Sequence, residues 1–503
     1  MKNKQLTLVV VSLLVVVLSV SLAYFTAQII GKGKTVDVRS ANLQIVFTDS
    51  DGALTETDIE PGWQKTKTFT IKNDTKTEYK YNIVIKDLLN TFVTEGYLQY
   101  KITSTNDGYN MTEFKDIPKY SIATDTILAY SVVIPNGVTQ SYTIEFKYAN
   151  DENVDQSDDM GRKLSGTLFI TEGTEQPTLL SQILNDNPTR KTRDTYTDVF
   201  TNNTTGTLFT ATEKNVHNIA DTTVYYYAGN TTNNWVKFAG FYWRIIRTNA
   251  DGSIKLLYSG TSHDTTSGYL STGKSAFNTS DNSPKYVGYM YGENDDTLVN
   301  ARTNTNNSTI KTAIDNWYAS NMTSYTKYLS TTAVYCNDRT EQTSGTYNTG
   351  NTTFYYAPYA RAYTNYTPTY DCTETSDAFS VDNTSAKLTY PIALMTADEI
   401  MRAGGKGGTS LTSPYAWYYL NSANGSITGD TVWLLLSPNY WGGSYAYVFG
   451  VYGSSSPGLL DLDNVYYASG VRPAVSLKSC TLYSTGDGTS GTPYEIVETS
   501  SGC

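Results

Sequence analysis

Along the first third of the chain, apolar and polar residues alternate in short runs, the period of a strand with one face turned inward. NLQIVFTD, KTKTFTIKN, YKYNIVIKD, YLQYKITS, LAYSVVI, QSYTIEFKY and LSGTLFI, between about Val36 and Gly173, carry this pattern and are separated by turn residues. Several such strands without helical periodicity between them predict an all-β sandwich over residues 31–173. Residues 174–204 are polar except for PTLLSQILND, where Leu179, Leu180, Ile183 and Leu184 fall at helical spacing. That stretch reads as a linker whose one short helix docks on a neighbouring domain.

Residues 205–503 mix the two periods. KFAGFYWRIIRTNADGSIKLLYSG predicts a hairpin about Asp251-Gly252. NNSTIKTAIDNWYASNM places Ile310, Ala313, Ile314 and Trp317 on one helical face behind a Ser308 or Thr309 cap. TADEIMRAGG opens with a capping box, Thr396 to Glu399, and stops at Gly404-Gly405. Short Gly- and Tyr-rich strands follow, so an α+β domain is expected here, and a β-rich, multidomain chain overall.

At the N-terminus, Lys2 and Lys4 precede a continuous apolar run from Leu6 to about Phe25. Residues 1–30 therefore read as a signal peptide or an uncleaved signal anchor. A run of about 20 residues is long enough to span a bilayer, while Ser21-Leu22-Ala23 offers the small residues that a signal peptidase reads. The expected address is extracellular, at the cell surface, with the cell membrane as a partner through this segment.

Composition narrows the chemistry. At 503 residues the chain exceeds one ordinary core. A net charge of -11 lacks the clustered basic face of a nucleic-acid binder, so no nucleic-acid partner is expected. Cys336 and Cys372 lie in one Tyr- and Thr-rich insertion, and Cys480 and Cys503 flank the last hairpin. Of three possible connectivities, these two local pairings are the expected ones. Neither pair has C-x-x-C spacing and the chain has only 2 His, so neither a cysteine-rich zinc site nor a cofactor is expected.

Other candidate motifs have plainer explanations. His263 beside Asp264 could be a dyad, but a solvated loop histidine accounts for it better. Asp49, Asp51 and Glu60 fit three positions of a calcium loop, yet Leu54 stands where that loop needs Gly, and a hairpin turn explains Asp51-Gly52. DLDN, Asp461 to Asn464, reads as a polar contact set rather than a metal site.

The segment from Ser437 to Val475 gathers Tyr, Ser, Gly, Asn and Asp, the residues that dominate adaptable binding loops. With Val448, Val451, Leu459, Leu462 and Val465 taken as inward, the candidate contacts are Asn439, Tyr440, Trp441, Ser444, Tyr445, Tyr447, Tyr452, Asp461, Asp463, Asn464, Tyr466 and Tyr467. A loop-rich β-structure in a generally Tyr-rich protein is the plainer alternative.

Four resemblances accompany these patterns. The exported N-terminus ending LAYFTA, followed by ANLQIVFTD, EPGWQKTKTFTIKN and LSGTLFI, resembles the camelysin-type β-sandwiches of Gram-positive surfaces and matrix fibres. Peptidase activity described for some members is not carried over, since this segment has no histidine. The order WRIIR, YVGYMYG, IDNWY, YCNDR, YPIALMTADEI, VWLLLSP, GVRPAV and TGDGTSGTPYEI is similar to a family of exported bacterial proteins. Its last third resembles the fold shared by C-type lectins and formylglycine-generating enzymes.

That likeness implies structural roles for Trp433, Arg472 and Pro473, with binding on the face crossed by Ser437 to Arg472. The oxidation of a substrate cysteine by those enzymes is not implied, because it uses thiols that precede and follow the final strands, and Cys480 and Cys503 both come after GVRPAV. Apolar anchors interrupted by Tyr, Ser, Gly, Asp and Asn also resemble the variable segment of retroelement-diversified proteins. The expectation is a non-enzymatic surface binder, adhesin or receptor-like, of a protein or glycan ligand. The alternative is a structural surface or matrix component assembling through its sandwich, with an extracellular enzyme the lesser third.

Overall fold

The computed structural model describes residues 26–27, 34–40, 43–49, 54–56 and 59–503, without 201–205, 264–269, 271–272, 343–345, 411–431, 454–455 and 457. Residues 1–25 of the expected export segment, together with Asp51 and Asp264, lie outside the described residues. Among the described residues, no helix is long and apolar enough to cross a membrane. The chain is β-rich, with several sheets, and divides into two compact units between Gln176 and Pro177.

In the first unit, β1 (Lys34–Ser40), β2 (Leu43–Asp49), β3 (Gln64–Asn73), β4 (Tyr79–Asn90), β5 (Leu98–Ser104), β6 (Tyr120–Ile134), β7 (Thr139–Tyr148) and β8 (Leu164–Glu172) form two antiparallel sheets. One runs β1-β2-β3-β7-β5 and the other β8-β4-β6. Alternation does the sorting: Gln140, Tyr142, Ile144, Phe146 and Tyr148 of β7 are buried and the residues between them are not. Ile71 and Ile144 of one sheet meet Ile83 and Ile170 of the other in a single apolar core.

The second unit begins at Pro177, within the stretch that carries the expected docking helix. Helix α1 (Leu179–Asp186) is capped by Thr178, whose hydroxyl accepts from Ser181 N, and Leu179 and Ile183 enter the unit's core. Arg193 lies 4.5 Å from the Tyr196 ring and 4.1 Å from Phe200. Much of the stretch read as a linker is thus packed chain.

Strands β9 (Thr207–Glu213), β10 (Thr222–Ala228), β11 (Trp235–Phe238), β12 (Phe241–Thr248) and β13 (Ile254–Tyr258) follow. The β12–β13 hairpin turns at Gly252, whose φ of 78° favours glycine. Helix α2 (Thr309–Asn321) has Ser308 as its cap, buries Ile310, Ile314 and Trp317, and leaves Ala313 half-exposed. Then come β14 (Phe354–Tyr355), β15 (Ile392–Leu394), α3 (Ala397–Ala403), β16 (Trp433–Trp441), β17 (Ala446–Val451), β18 (Leu460–Asn464), β19 (Pro473–Leu477) and β20 (Tyr494–Ile496).

The main sheet contains the path β9-β10-β12-β11-β20, to which β13, β19 and β15 add through β12. A smaller sheet runs β14-β16-β17-β18. Both local disulfides are present, with Cα atoms 5.9 Å apart in Cys336–Cys372 and 5.6 Å in Cys480–Cys503.

Candidate binding face

The smaller sheet aligns Tyr355, Tyr440, Tyr447 and Asn464 as register partners across its four strands. Residues directly opposite on one face bring their side chains together. Accordingly, Tyr440 stacks on Tyr447 with centroids 4.5 Å apart and planes 2° from parallel, and on Tyr355 at 5.6 Å. Beyond β14 a single helical turn, Ala357–Ala360, widens into the turn Arg361–Asn365 and carries Tyr359 and Tyr363. Tyr355 meets Tyr359 at 4.1 Å, Tyr359 meets Tyr363 at 4.7 Å, and Tyr363 stacks on Phe449 at 5.7 Å. Five half-buried tyrosines form one ladder ending on a buried phenylalanine.

Stacking takes up the ring faces, so the ladder offers mainly edges and hydroxyls. Burial, then the neighbouring Tyr447, pushes the Tyr440 hydroxyl up to about 12. Burial also raises Tyr359 and Tyr363, helped by Tyr355 in the first case and by a hydrogen bond to Asp461 in the second. The Tyr363 hydroxyl donates to Asp461 Oδ1 at 2.5 Å. These phenols stay protonated at neutral pH and can act as hydrogen-bond donors.

At the edge of this row stand three tyrosines whose rings are open to solvent: Tyr445 at 52% exposure, Tyr466 at 55% and Tyr467 at 61%. Val465 N donates to Ala446 O, and Tyr445 and Tyr466 are the next residues beyond that pair, in the turns that flank β17 and β18. The turn before Tyr445 lies flat. A Cβ at Gly442 would come within 3.3 Å of the Tyr440 and Tyr447 rings, and one at Gly443, where φ is 82°, would meet the Asn351 backbone at 2.6 Å.

The other expected contacts are distributed differently. Ser444 is exposed, whereas Tyr452 and Asp461 are half-buried. Tyr452 donates to Leu462 O at 2.8 Å, and burial followed by the Asp463 charge pushes its hydroxyl up to about 12. Asn439, Trp441, Asp463 and Asn464 are buried, which removes them from a surface assigned by alternation.

Each of these four has an interior partner or neighbour. Trp441 Nε1 donates to Gly350 O at 2.9 Å, and the Asn439 amide adjoins the Tyr363 hydroxyl. Asn464 Nδ2 donates to Asp281 Oδ2 at 3.0 Å. Burial raises the Asp463 carboxyl, opposed by the Ser469 hydroxyl that donates to it at 2.9 Å. For Asn439 and Trp441 the physical reason is that β16 is covered on both faces, so period two does not separate inside from outside there; Asp463 and Asn464 end β18 with side chains bonded to Ser469 and Asp281. In β18 the fully buried leucine is Leu460, while Leu459 and Leu462 are half-buried; Val448, Val451 and Val465 are buried.

Trp433 and Arg472 are buried against each other, the guanidinium 4.8 Å from the ring. Burial lowers Arg472 to about 9, and its Nε donates to Tyr258 O at 3.1 Å. Pro473 opens β19 opposite Leu394.

Sequence reasoning missed Tyr355, Tyr359 and Tyr363. Their four-residue spacing in YYAPYARAYTNY was the available signal.

The inward side of the ladder is charged. Arg361, between Tyr359 and Tyr363, donates from Nε and Nη2 to the two Asp398 oxygens at 2.7 and 2.9 Å, and from Nη1 to Asp338 Oδ2 at 2.8 Å. It lines a cavity of about 20 Å³, with Arg247, Lys255, Asp338, Asp398 and Glu399, large enough for one water. Glu399 Oε1 receives Arg247 Nε at 2.8 Å and Lys255 Nζ at 2.7 Å, while its Oε2 accepts from Thr396 N to complete the capping box. Despite burial, Lys255 and Arg247 hold the Glu399 carboxyl below its ordinary value.

Among the described residues, no group of three or more His, Cys, Asp or Glu could hold a metal ion. His217 Nε2 bonds Ser380 Oγ at 2.9 Å, and His263 meets the Tyr242 ring edge-on at 5.9 Å. No family model matches the sequence, and no curated protein matches it.

Proposed function

We propose that the second unit is a binding module and that the chain is an exported surface protein, adhesin or receptor-like, engaging a protein or glycan ligand through its tyrosine face. The observation that carries this reading is that two kinds of tyrosine stand on and beside one small sheet. The ladder supplies preorganised hydroxyls, and Tyr445, Tyr466 and Tyr467 supply open ring faces. Tyrosine offers a large amphipathic contact with few rotors to immobilise, which keeps the entropy cost of binding low. The sequence resemblance of the last third to C-type lectin-like scaffolds, and of Ser437 to Val475 to diversified variable segments, points the same way.

The test is a screen of the full chain against arrayed glycans and extracellular proteins, repeated with Tyr445→Ser, Tyr466→Ser and Tyr467→Ser combined. Loss of a hit by tenfold or more in the triple variant supports the face. A hit that survives the triple variant undiminished moves the binding elsewhere, and an empty screen removes the reading.

A further inference from the structure

The tyrosine face has two halves built from distant parts of the chain. Tyr440 and Tyr447 come from β16 and β17, whereas Tyr355, Tyr359 and Tyr363 come from β14 and the turn after it. Stacking across such a seam needs a common reference that fixes both halves to within fractions of an ångström. The segment Cys336-Asn337-Asp338-Arg339 touches both.

Asn337 is fully buried and donates from Nδ2 to Leu436 O at 2.7 Å, four residues before Tyr440 on β16. Its Oδ1 accepts from Tyr289 N at 2.9 Å. Asp338 receives Arg361, which lies between two ladder tyrosines. On either side the segment is itself tied down. Cys336 is bonded to Cys372, and Arg339 donates from Nε to Asp377 Oδ1 at 2.7 Å and from Nη2 to Ser376 O at 2.8 Å. Four consecutive side chains thus make six attachments, two of which, Asn337 to Leu436 and Asp338 to Arg361, reach opposite halves of the face.

We propose that residues 336–339 set the geometry of the tyrosine ladder, with Asn337 and Asp338 as positioning residues acting through Leu436 and Arg361. The inference deepens the binding reading and rests on it for its biological meaning, but the ladder's geometry can be read without a ligand. Parallel tyrosine rings couple their transitions, so the near-ultraviolet circular dichroism of the full chain carries a contribution that Tyr440→Leu abolishes.

Asp338→Asn and Arg361→Gln are expected to reproduce at least half of the Tyr440→Leu difference spectrum. Lys311→Gln with Asp315→Asn, which breaks a 2.6 Å ion pair within α2, is the control and should leave the tyrosine band unchanged while lowering Tm. Asp338→Asn leaves the Arg361–Asp398 pair in place and provides a second folded variant should Arg361→Gln fail to fold. Tyrosine bands unchanged in Asp338→Asn, or changed equally by the control, overturn the inference. A disturbed ladder combined with an empty ligand screen would sink the binding reading and leave the positioning role standing.

Discussion

The two units solve the same problem, a polar interior, by different chemistry. In the first, the buried polar groups are mostly neutral and serve the backbone. Asn82 Oδ1 accepts from Ser131 N at 2.9 Å and Thr174 N at 3.1 Å, Asn73 Nδ2 donates to Ile134 O at 3.0 Å, and Tyr81 donates to Gln140 Oε1 at 2.6 Å. Asp159 is a buried exception, and hydrogen bonds from Thr94, Val93 and Tyr148 outweigh its burial and keep it ionised. The second unit buries guanidinium, ammonium and carboxylate groups together: Arg247 with Glu213 and Glu399, Lys255 with Glu399, and Arg339 with Asp377.

The contrast follows from regularity. Long paired strands satisfy their own backbones and need only a few amides where a strand bends or ends. The second unit joins short elements from distant stretches, and its buried charges hold those elements in one arrangement at a high desolvation cost.

Breaking a charge should therefore cost more than breaking an amide. Glu399→Gln leaves Arg247 and Lys255 buried beside a neutral group, and the expected loss is about 3–5 kcal/mol in denaturant unfolding at neutral pH. Because Glu399 titrates below its ordinary value of 4.5, the carboxylate's contribution is complete above that pH and fades as pH falls toward the lowered value. The penalty of Glu399→Gln should shrink on the same scale; a penalty independent of pH would assign the loss to shape rather than charge.

Asn82→Ala, which takes the acceptor from two partly buried backbone N–H groups in the first unit, is expected to cost about 0.5–1.5 kcal/mol with little pH dependence. A cost equal to that of Glu399→Gln would erase the distinction between the interiors. Smallest of all, Tyr445→Ser, Tyr466→Ser and Tyr467→Ser should each change stability by less than about 0.5 kcal/mol, as exposed substitutions do. Thermal melts check this, and a larger loss would mean that these rings serve the fold.

Legibility in the sequence followed the same division. Where structure is set by neighbours along the chain, the reading carried: the alternating strands of the first unit, the Asp251-Gly252 hairpin, the Ser308 cap, the Thr396–Glu399 box and the two local disulfides. It failed where distant segments cover an element. Asn439 and Trp441 are buried because β16 is sandwiched, a fact that no period within β16 records. The charge network was equally hidden, since Arg247 and Glu399 are separated by 152 positions and Lys255 and Glu399 by 144. The ladder was half legible: alternation pointed to Tyr440 and Tyr447, but only tertiary pairing brings Tyr355, Tyr359 and Tyr363 against them.

Glu399 also keeps time. It completes the cap of α3 and neutralises two cations of the β12–β13 hairpin, yet it leaves the ribosome last. At about 5–20 residues per second, a gap of this length is a delay of roughly 7 to 30 seconds. Throughout that interval Lys255 lacks this partner and Arg247 has Glu213 alone, so the hairpin's charges are fully matched only when the late segment arrives.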